Sequence, residues 1–391
     1  MTPPLDIVII GLALRSSCGN GHTTTYRALV TALRQRGHRV LFLERDATWY
    51  AGHQDLPAEL SGDVAVYADL EDLADCHGEA IAQADLVIVG SCVPDGIRVG
   101  DWVQATASGV VAFYDIDTPV TLASLARGDC PYLHPRQIPH YDIYLSFSGA
   151  RSLQALEQHF GSPLALPLYC SVDPERYRPE ALEPVYDLGY MGAFSDDRQS
   201  VLDQLLLQAA RAWPQGRFVV AGPQYPQSLV WPANVERIEH LGAAAHPRFY
   251  NRQRYTLNVT HADMAAAGWS PSVRLFEAAA CATPIVSEPW EGLDSFFEPG
   301  REILIARSTD EVMQCVRDIP EDQRRAIGEA GRRRVLAEHT PAHRARTLER
   351  HFESAMRFRG WPWAAPKPSA VSMPVTARRP PIGQPPAQER V

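Results

Sequence analysis

Short apolar runs alternate with amphipathic segments along most of the chain. In the first half, the apolar runs are DIVIIGL, RVLFLE, LVIVGS, VVAFYDID and IYLSF. Such continuous apolar character is typical of parallel strands that are buried on both faces. Between the first two runs, apolar residues recur at helical spacing and a glycine follows: Tyr26, Leu29, Val30, Leu33 and Gly37. The pattern predicts a parallel sheet covered by helices.

The same pattern restarts after LPLYCSVDPERYRPE, a segment whose three prolines indicate a linker. The predicted strands are then DLGYMGAF, RFVVAG, VERIEH, YTLNVT, PIVSE and EILIA, and the predicted helices include DDRQSVLDQLLLQAARAW, HPRFYNRQ and SVRLFEAAACA. Ligands of open parallel sheets bind beyond the carboxyl ends of the strands. Two such arrays therefore predict two Rossmann-like α/β domains that face each other across a cleft.

The expected division of the chain follows from these patterns. We expect a first domain over residues 1–168, a linker over 169–184, a second domain over 185–335, a helix over 336–359 that packs back toward the first domain, and a Pro-rich tail over 360–391. The tail has no apolar period, which predicts disorder. Between Glu321 and Arg359 a solvated basic face is expected from Arg332, Arg333, Arg334, Arg344, Arg346, Arg350 and Arg357.

Composition narrows the class of protein. The 391 residues are 45% hydrophobic and 21% charged, and the formal net charge of −9 argues against a nucleic-acid partner. The seven cysteines form no CxxC pair, which favours reduced thiols over a zinc site or a disulfide framework. Because no apolar stretch has the length of a membrane span or the pattern of a signal peptide, we expect a cytoplasmic protein.

The segment SPSVRLFEAAACATPIVSEPWEGL carries the strongest candidate chemistry. Ser270-Pro271-Ser272 is typical of a helix entry, and Arg274 and Glu277 follow one turn apart. A carboxylate here can bind a ribose diol, and a guanidinium or the helix N-terminus can bind phosphate. The alternative is an ordinary ion pair between Arg274 and Glu277 on a helix surface.

Several motifs together resemble a known family. Residues 274–284, the tetrapeptide WEGL and the run EPGREIL are similar to the donor-site segment of GT-B glycosyltransferases, in particular the spore-maturation CgeB-like branch. The resemblance covers most of residues 5–310 and includes SSCGNGHTTTYRALV, GSCVPDGI, AFYDIDTPVTL, LYCSVDP, YMGAFSDDRQ and VAGPQYP. It implies a GT-B fold, a nucleotide-sugar donor, no other cofactor and no metal. It also implies that Glu277 binds the ribose.

Two positions depart from the family pattern. Retaining relatives often have a glutamate eight positions before the one at Glu277, where this chain has Trp269. The glycine expected before Pro284 is replaced by Ala282-Thr283. Both departures leave a retaining mechanism and the detailed donor contacts open.

A second donor feature follows the first strand of the second array. Gly192 and Ser195 in YMGAFSDDRQ would let the backbone approach a phosphate. By similarity with GT-B enzymes, Arg198 is expected to neutralise the diphosphate leaving group. The alternative is that Asp196 and Asp197 cap the helix while Arg198 faces solvent.

The loop Gly19-Asn20-Gly21 precedes His22 and follows the first predicted strand. The resemblance places this loop at the cleft, in contact with acceptor or phosphate. His22 is a candidate general base, because an imidazole titrates near neutral pH, or else a structural residue at a helix start. The same glycines with Glu44 would suit a dinucleotide, which keeps an NAD-linked oxidoreductase open as an alternative.

Asp115-Ile116-Asp117 ends another predicted strand. Such aspartate pairs can bind divalent metal, yet the family resemblance implies metal independence, and at most one of the two is expected in the cleft. We predict Asp117, with a catalytic role or a structural capping role. His261 and Asp263 follow a predicted strand and are expected on a surface loop near the cleft.

The leading hypothesis is a glycosyltransferase that acts on a glycan or small hydroxyl acceptor, such as a cell-envelope or spore-surface glycan. The alternatives are a GT-B scaffold that binds glycan or nucleotide without turnover, the NAD-linked oxidoreductase, and a nucleotide-sugar epimerase.

Overall fold

Two separate parallel sheets organise the chain in the computed structural model, which describes residues 3–16, 21–46 and 54–360. Gly19, Asn20 and the Pro-rich tail from residue 361 lie outside the described residues. Among the helices that are described, none has both the length and the apolar character needed to cross a membrane.

The first sheet has seven strands in the order β3-β2-β1-β4-β5-β6-β7. These are β1 Asp6–Gly11, β2 Arg39–Arg45, β3 Val64–Tyr67, β4 Leu86–Gly90, β5 Val110–Asp115, β6 Ile143–Ser146 and β7 Ala165–Pro167. The helices around it are α1 Gly21–Gln35, α2 Leu70–Gln83, α3 Gly96–Thr106, α4 Thr118–Arg127 and α5 Arg151–Gln158. All five predicted strands lie in this sheet. Helix α1 ends just before Gly37, which has a φ of 93°.

The second sheet has six strands in the order β10-β9-β8-β11-β12-β13. These are β8 Tyr186–Met191, β9 Phe218–Ala221, β10 Val235–Ile238, β11 Gln253–Asn258, β12 Ile285–Ser287 and β13 Leu304–Ile305. All six match predicted strands. The helices that follow in chain order are α6 Asp196–Leu202, α7 Gln208–Ala212, α8 His246–Asn251, α9 Ala262–Ala267, α10 Val273–Ala280, α11 Thr309–Met313, α12 Glu321–Glu338 and α13 Pro341–Phe358.

Strand order locates the region where ligands can bind. In the first sheet the order reverses between β1 and β4, and in the second it reverses between β8 and β11. A crevice opens beyond the carboxyl ends of the strands at such a reversal. The segments that leave β1, β4 and β5 in the first sheet, and β8 and β11 in the second, are therefore the ones that can hold ligands.

The last helix returns to the first domain. Helix α13 packs along α1, and its Glu349 accepts hydrogen bonds from Arg36 Nε at 2.5 Å and Nη2 at 2.7 Å. His38 Nε2 lies 2.8 Å from Glu349 Oε1. Helix α12 instead packs against α10 of the second domain. The C-terminal helices thus connect both domains, as the predicted fold requires.

The expectation of a solvated basic face on these helices is wrong for Arg344. This arginine is only 8% exposed. The Nε of Arg344 donates to the carbonyl oxygens of Tyr169 at 2.9 Å and Cys170 at 3.0 Å, in the segment between the two sheets. This arginine therefore fixes that segment against α13.

Replacing Glu349 with alanine should destabilise the first domain. Although burial acts to raise the pKa of Glu349, hydrogen bonds from Arg36 and His38 hold it below the usual value. Glu349→Ala leaves a largely buried imidazole and a guanidinium without their carboxylate, and we expect a loss of about 3 kcal/mol at pH 7. Urea unfolding measures this loss.

The pH dependence of that loss is a second readout. Because the folded pKa is depressed, the stabilisation is complete above the unfolded-state pKa of about 4.3 and disappears as pH falls through the folded value. Glu329→Ala, at an exposed position of α12, is the matched control and should change stability little. An equal, small effect of both substitutions would contradict the role given to Glu349.

Candidate functional site

Arg274 lies at the carboxyl end of the second sheet. Its Nε donates to the Met191 carbonyl at 2.6 Å, at the end of β8, and its Nη1 lies 3.3 Å from both Asn258 Oδ1 and the Val259 carbonyl, at the end of β11. The guanidinium also lies over the Tyr190 ring, 5.0 Å from its centre. The predicted alternative, an ion pair with Glu277, is not formed. One arginine thus joins the two strands at which the order of the sheet reverses.

Arg198 belongs to the same edge, on the first turn of α6. It is 9% exposed, its Nη2 donates to the Ala193 carbonyl at 2.7 Å, and its buried Nε has no hydrogen-bond partner among the described residues. The alternative in which Arg198 faces solvent is therefore wrong. Gly192 allows the close packing here, because a Cβ at this position would lie 2.5 Å from Tyr190 Oη and 3.1 Å from Arg274 Nη2.

The two guanidiniums share an unusual electrostatic setting. Within the described part of the chain, neither Arg198 nor Arg274 has a carboxylate partner at salt-bridge distance, and carbonyl oxygens hold both. Both also act on Tyr225, where burial raises the phenol pKa above its usual value while the nearby arginines oppose that rise. The charge of Arg274 also acts on Glu288, where it opposes the rise in pKa that burial causes. Guanidiniums without a carboxylate at salt-bridge distance can bind an anion.

Ser272 and Ser195 precede the two helices at this edge. Ser272 is the residue before α10, but its Oγ donates to Asn258 Oδ1 at 2.9 Å and does not cap the helix. Ser195 precedes α6, and its hydroxyl donates to Asp197. Asp197 in turn accepts from the Ala262 amide at 2.8 Å and lies 3.0 Å from the exposed His261 ring, so it ties α6 to α9. Asp263, also on α9, is exposed.

Glu277 is more enclosed than the sequence predicts. It lies one turn inside α10, is 5% exposed, and accepts a hydrogen bond from Tyr250 Oη at 2.9 Å. Tyr177, from the segment between the sheets, also hydrogen bonds to it, and burial followed by the charge of Glu277 raises the pKa of that phenol. Glu277 therefore connects α8, α10 and the interdomain segment.

At the first sheet, His22 and Asp117 form a pair. His22 follows Gly21 at the start of α1, Asp117 precedes α4, and Nε2 lies 3.0 Å from Oδ2. The imidazole is 11% exposed and the carboxylate side chain 40% exposed. Cys92, in the loop after β4, completes a cluster in which one ligand atom from each residue lies within 4.8 Å of the others. We refer to His22, Cys92 and Asp117 as the first-sheet cluster.

Asp115 lies beneath this cluster and does not open to the cleft. It is fully buried and accepts from Tyr144 Oη at 2.6 Å, Thr121 Oγ1 at 2.8 Å and the Asp117 amide at 3.2 Å. Burial raises the pKa of Asp115 to about 6, against the effect of its hydrogen-bond donors. Of the two aspartates, only Asp117 is accessible.

A hydrogen-bonded path joins the two sheet edges. Ser146 Oγ, at the end of β6, donates to Thr118 Oγ1 at 2.8 Å, and Thr118 is the residue after Asp117. Two residues beyond Ser146, Ser148 Oγ bonds Ser270 Oγ of the second domain. Ser270 lies two residues before Ser272. The first-sheet cluster and the arginine edge are thus brought to the same interdomain region.

An open groove lies beside α1. Its walls come from the first domain, the interdomain segment and the loop before α8, and are formed by Arg27, Asp55, Arg176, Glu180, Ala243, Ala244 and Pro247.

Trp269 occupies the interdomain contact itself. Its carbonyl accepts from the Gly149 amide at 3.0 Å and its own amide donates to the Glu291 carbonyl at 2.7 Å. The backbone of Trp269 has a φ of 44°, which is uncommon for a bulky residue. Gly292 lies directly beneath the indole, since a Cβ there would come within 2.5 Å of the ring.

Glu44 does not have the role that a dinucleotide site would require. It is fully buried, and its carboxylate accepts from the Leu14 and Arg15 amides at 2.5 and 2.9 Å and from Arg15 Nε at 3.0 Å. A carboxylate used in this way cannot bind a ribose. The oxidoreductase hypothesis therefore loses the residue on which it depended.

Sequence reasoning missed Asn258, Tyr190, Cys92 and Ser148. Asn258 was detectable in principle, because it is a polar residue at the end of an otherwise apolar strand. Its Oδ1 accepts hydrogen bonds from Ser272 and Arg274, and its Nδ2 donates hydrogen bonds to Thr260 and Ser287. Cys92 gave no signal, because its position depends on a left-handed backbone with a φ of 61°.

Comparison with known proteins agrees with this architecture. A family model described as "Glycosyl transferase-like" matches residues 198–350. That match includes Arg198, Ser272, Arg274 and Glu277. Among curated proteins, no sequence matches this chain.

Solved structures similar to this chain include several glycosyltransferases. Sucrose-phosphate synthase from Thermosynechococcus elongatus has a TM-score of 0.64 at 15% identity, over 90% of this chain and 99% of that one. Anabaena HepE in complex with UDP-glucose has a TM-score of 0.64 at 13% identity, over 89% and 99%. An alpha-glucosyltransferase in complex with UDP has a TM-score of 0.64 at 11% identity, over 89% and 99%. The fold is that of the two-domain GT-B glycosyltransferases.

Placing a methyl group beneath Trp269 should loosen the interdomain contact. Gly292→Ala introduces a Cβ both at a φ of 89° and inside the indole contact. We expect the free energy of unfolding to fall by about 1 kcal/mol because of the backbone conformation and by about 1–3 kcal/mol more because of the clash. Urea unfolding followed by tryptophan fluorescence measures the sum.

Gly300→Ala is the matched control for Gly292→Ala. Gly300 has a similar φ of 79°, but no described atom lies within 4 Å of the place that an added methyl group would take, so only the backbone cost applies. In a Trp269→Ala background the excess cost of Gly292→Ala should disappear. Equal costs for the two glycine variants would show that the indole does not press on Gly292.

Proposed function

We propose that this protein is a glycosyltransferase that moves a sugar from a nucleoside diphosphate sugar to a hydroxyl acceptor. The observation that carries the proposal is the pair of guanidiniums, Arg198 and Arg274, which carbonyl oxygens hold at the mouth of the second sheet with no carboxylate partner among the described residues. The family-model match over residues 198–350 and the GT-B fold support it. HepE in complex with UDP-glucose supports a uridine diphosphate sugar as the first donor to test.

On the donor side, the main task is to stabilise the diphosphate as the bond to the sugar breaks. Arg198 and Arg274 supply two positive charges that need no reorganisation, and Gly192 keeps side-chain atoms away from them, since a Cβ there would lie 3.1 Å from Arg274 Nη2. Ser195, Ser272 and the first turn of α10 add polar groups beside them. Because the arginines compensate the charge, we propose that transfer needs no metal ion and no cofactor beyond the nucleotide-sugar itself.

Glu277 is proposed to bind the ribose. A carboxylate can accept about four hydrogen bonds, so the two tyrosine hydroxyls do not exhaust it. It lies on α10 one turn after Arg274, which would place the ribose next to the diphosphate. The surrounding phenols would hold the carboxylate in a fixed orientation.

On the acceptor side, the His22–Asp117 pair is proposed to take the proton. The new bond forms between the acceptor oxygen and the sugar carbon that leaves the diphosphate, and the hydroxyl proton passes to the pair. Gly21, together with Gly19 and Asn20, is proposed to shape the acceptor side. We further propose a place in the CgeB-like branch, action in the cytoplasm and a glycan or small hydroxyl acceptor of the cell envelope or spore surface.

A second candidate is a protein that binds nucleotide or glycan without turnover. The observation in its favour is Trp269, an aromatic residue in the position at which retaining relatives often carry a carboxylate. Transfer or hydrolysis of a nucleotide-sugar by the purified protein would exclude this candidate. Nucleotide binding without either reaction would favour it.

Replacing Arg198 should weaken nucleotide binding. We expect UDP to raise the melting temperature of the wild-type protein, because a ligand that binds only the folded state stabilises it. Arg198→Ala removes charge-assisted hydrogen bonds to the diphosphate and should weaken UDP binding by about 10- to 100-fold in calorimetry. Glu277→Gln should weaken UDP binding but leave inorganic diphosphate binding unchanged.

The matched control is Arg211→Ala, at an arginine on α7 whose side chain is 49% exposed. It should bind UDP as the wild type does. The melting temperature is also measured with GDP, TDP, CDP and ADP, alongside UDP. If no nucleoside diphosphate shifts the melting temperature, or if Arg198→Ala and Arg211→Ala bind equally, the donor site is assigned to the wrong place.

Replacing His22 or Asp117 should affect transfer and leave donor binding intact. For His22→Gln and Asp117→Asn we expect kcat to fall by about 100- to 10,000-fold with an unchanged Kd for UDP. Assays contain EDTA, since transfer is expected without a divalent ion. His159→Gln, at an exposed histidine of the first domain, should behave as the wild type. Full activity of both His22→Gln and Asp117→Asn would remove the pair from the reaction.

A further inference from the structure

The first-sheet cluster brings three different metal-ligating groups together. His22 comes from the start of α1, Cys92 from the loop after β4 and Asp117 from the residue before α4. One nitrogen, one sulfur and one oxygen lie within 4.8 Å of one another, with His22 Nε2 and Asp117 Oδ2 at 3.0 Å. Three elements of the sheet edge therefore converge on one point.

The type of ligand selects the type of ion. Magnesium and calcium prefer oxygen ligands, whereas a set of imidazole, thiolate and carboxylate suits zinc and cobalt. Three protein ligands with a fourth position open is also the arrangement of catalytic rather than structural zinc sites. The fourth position here can face the cleft, because the Asp117 side chain is 40% exposed.

The surroundings of the cluster favour a cation. The buried Asp115 adjoins the cluster, since its carboxylate accepts a hydrogen bond from the Asp117 amide at 3.2 Å. A divalent ion would balance these two carboxylates and take the place of the thiol proton of Cys92. Cys92 and Asp95 both have left-handed backbones, with φ of 61° and 55°, so the loop holds the cysteine in a conformation that costs energy.

We propose that His22, Cys92 and Asp117 form a binding site for a zinc-type divalent cation. The ion takes His22 Nε2, Cys92 Sγ and an Asp117 oxygen as ligands, and the Cys92 proton leaves to solvent. One consequence rests on the proposed function. If the His22–Asp117 pair takes the proton during transfer, an ion bound to the pair prevents that step. Zinc is then an inhibitor of transfer, and donor binding at the arginine edge is unaffected.

Cobalt titration of the full-length, reduced protein tests the site without any assay of transfer. With Co²⁺ as the probe, we expect one ion per chain and a near-ultraviolet thiolate-to-cobalt charge-transfer band that Zn²⁺ abolishes by displacement. Cys92→Ala should lose the band. His22→Gln and Asp117→Asn should weaken Zn²⁺ binding by at least about 100-fold in calorimetry. Circular dichroism confirms that each variant is folded.

Cys76→Ala is the matched thiol control, since Cys76 is exposed on α2 near Asp72. It should keep both the band and the Zn²⁺ affinity. Absence of the band in the wild type, or its persistence in Cys92→Ala, would overturn the proposal. If Cys92→Ala does not fold, unchanged Zn²⁺ affinity in both His22→Gln and Asp117→Asn would overturn it instead. UDP calorimetry on the same samples tests the proposed function separately.

Discussion

Two guanidinium groups at the carboxyl edge of the second sheet, those of Arg198 and Arg274, are held by backbone carbonyls and by one asparagine. Removing a cation from water costs several kcal/mol unless an opposite charge or many hydrogen bonds compensate it. Carbonyl dipoles orient these groups but do not neutralise their charge, so both guanidiniums remain able to attract an anion. The neighbouring residues fit this constraint. Gly192 has no room for a side chain, and Asn258 contacts both Ser272 and Arg274. Helix α10 begins beside the place where an anion would bind.

The contacts between the domains lie close in sequence to these arginines. Ser148 bonds Ser270, the Gly149 amide bonds Trp269, and Glu277 reaches Tyr177 in the interdomain segment. Each contact involves a residue within a few positions of the arginine edge. The domains are thus joined next to the candidate site, and the return of α13 to α1 provides a second connection at a distance from it. A change in the relative orientation of the domains would therefore first displace the residues from Ser270 to Ser272, which precede α10.

The sequence predicted those elements whose residue types are determined by burial. Strands such as β1 and β4 are buried on both faces, so their continuous apolar runs were visible. Strands β3 and β7 were not visible, because these short strands lie at the two edges of the sheet. Among the candidate site residues, Arg198 and Arg274 were chosen by motif and spacing, which cannot show what holds a side chain. The enclosure of Glu277 by Tyr250 and Tyr177, the burial of Glu44 and the approach of Cys92 to His22 all depend on contacts between distant segments, which no local pattern encodes.

The two sheet edges differ in the charged side chains that they present, and this difference limits what each can bind. The first edge has Asp115 and Asp117, whereas the second has Arg198 and Arg274, which have no carboxylate at salt-bridge distance among the described residues. A diphosphate would be repelled by the first edge and attracted by the second, while a proton or a soft cation would be drawn to the first. On the proposed function, this polarity lies along the direction in which charge moves during transfer, from the acceptor hydroxyl that loses a proton to the leaving group that gains a negative charge. The path from Thr118 through Ser146 and Ser148 to Ser270 holds these unlike edges together, and uncharged hydroxyls suit that position because a charged side chain there would favour one edge over the other.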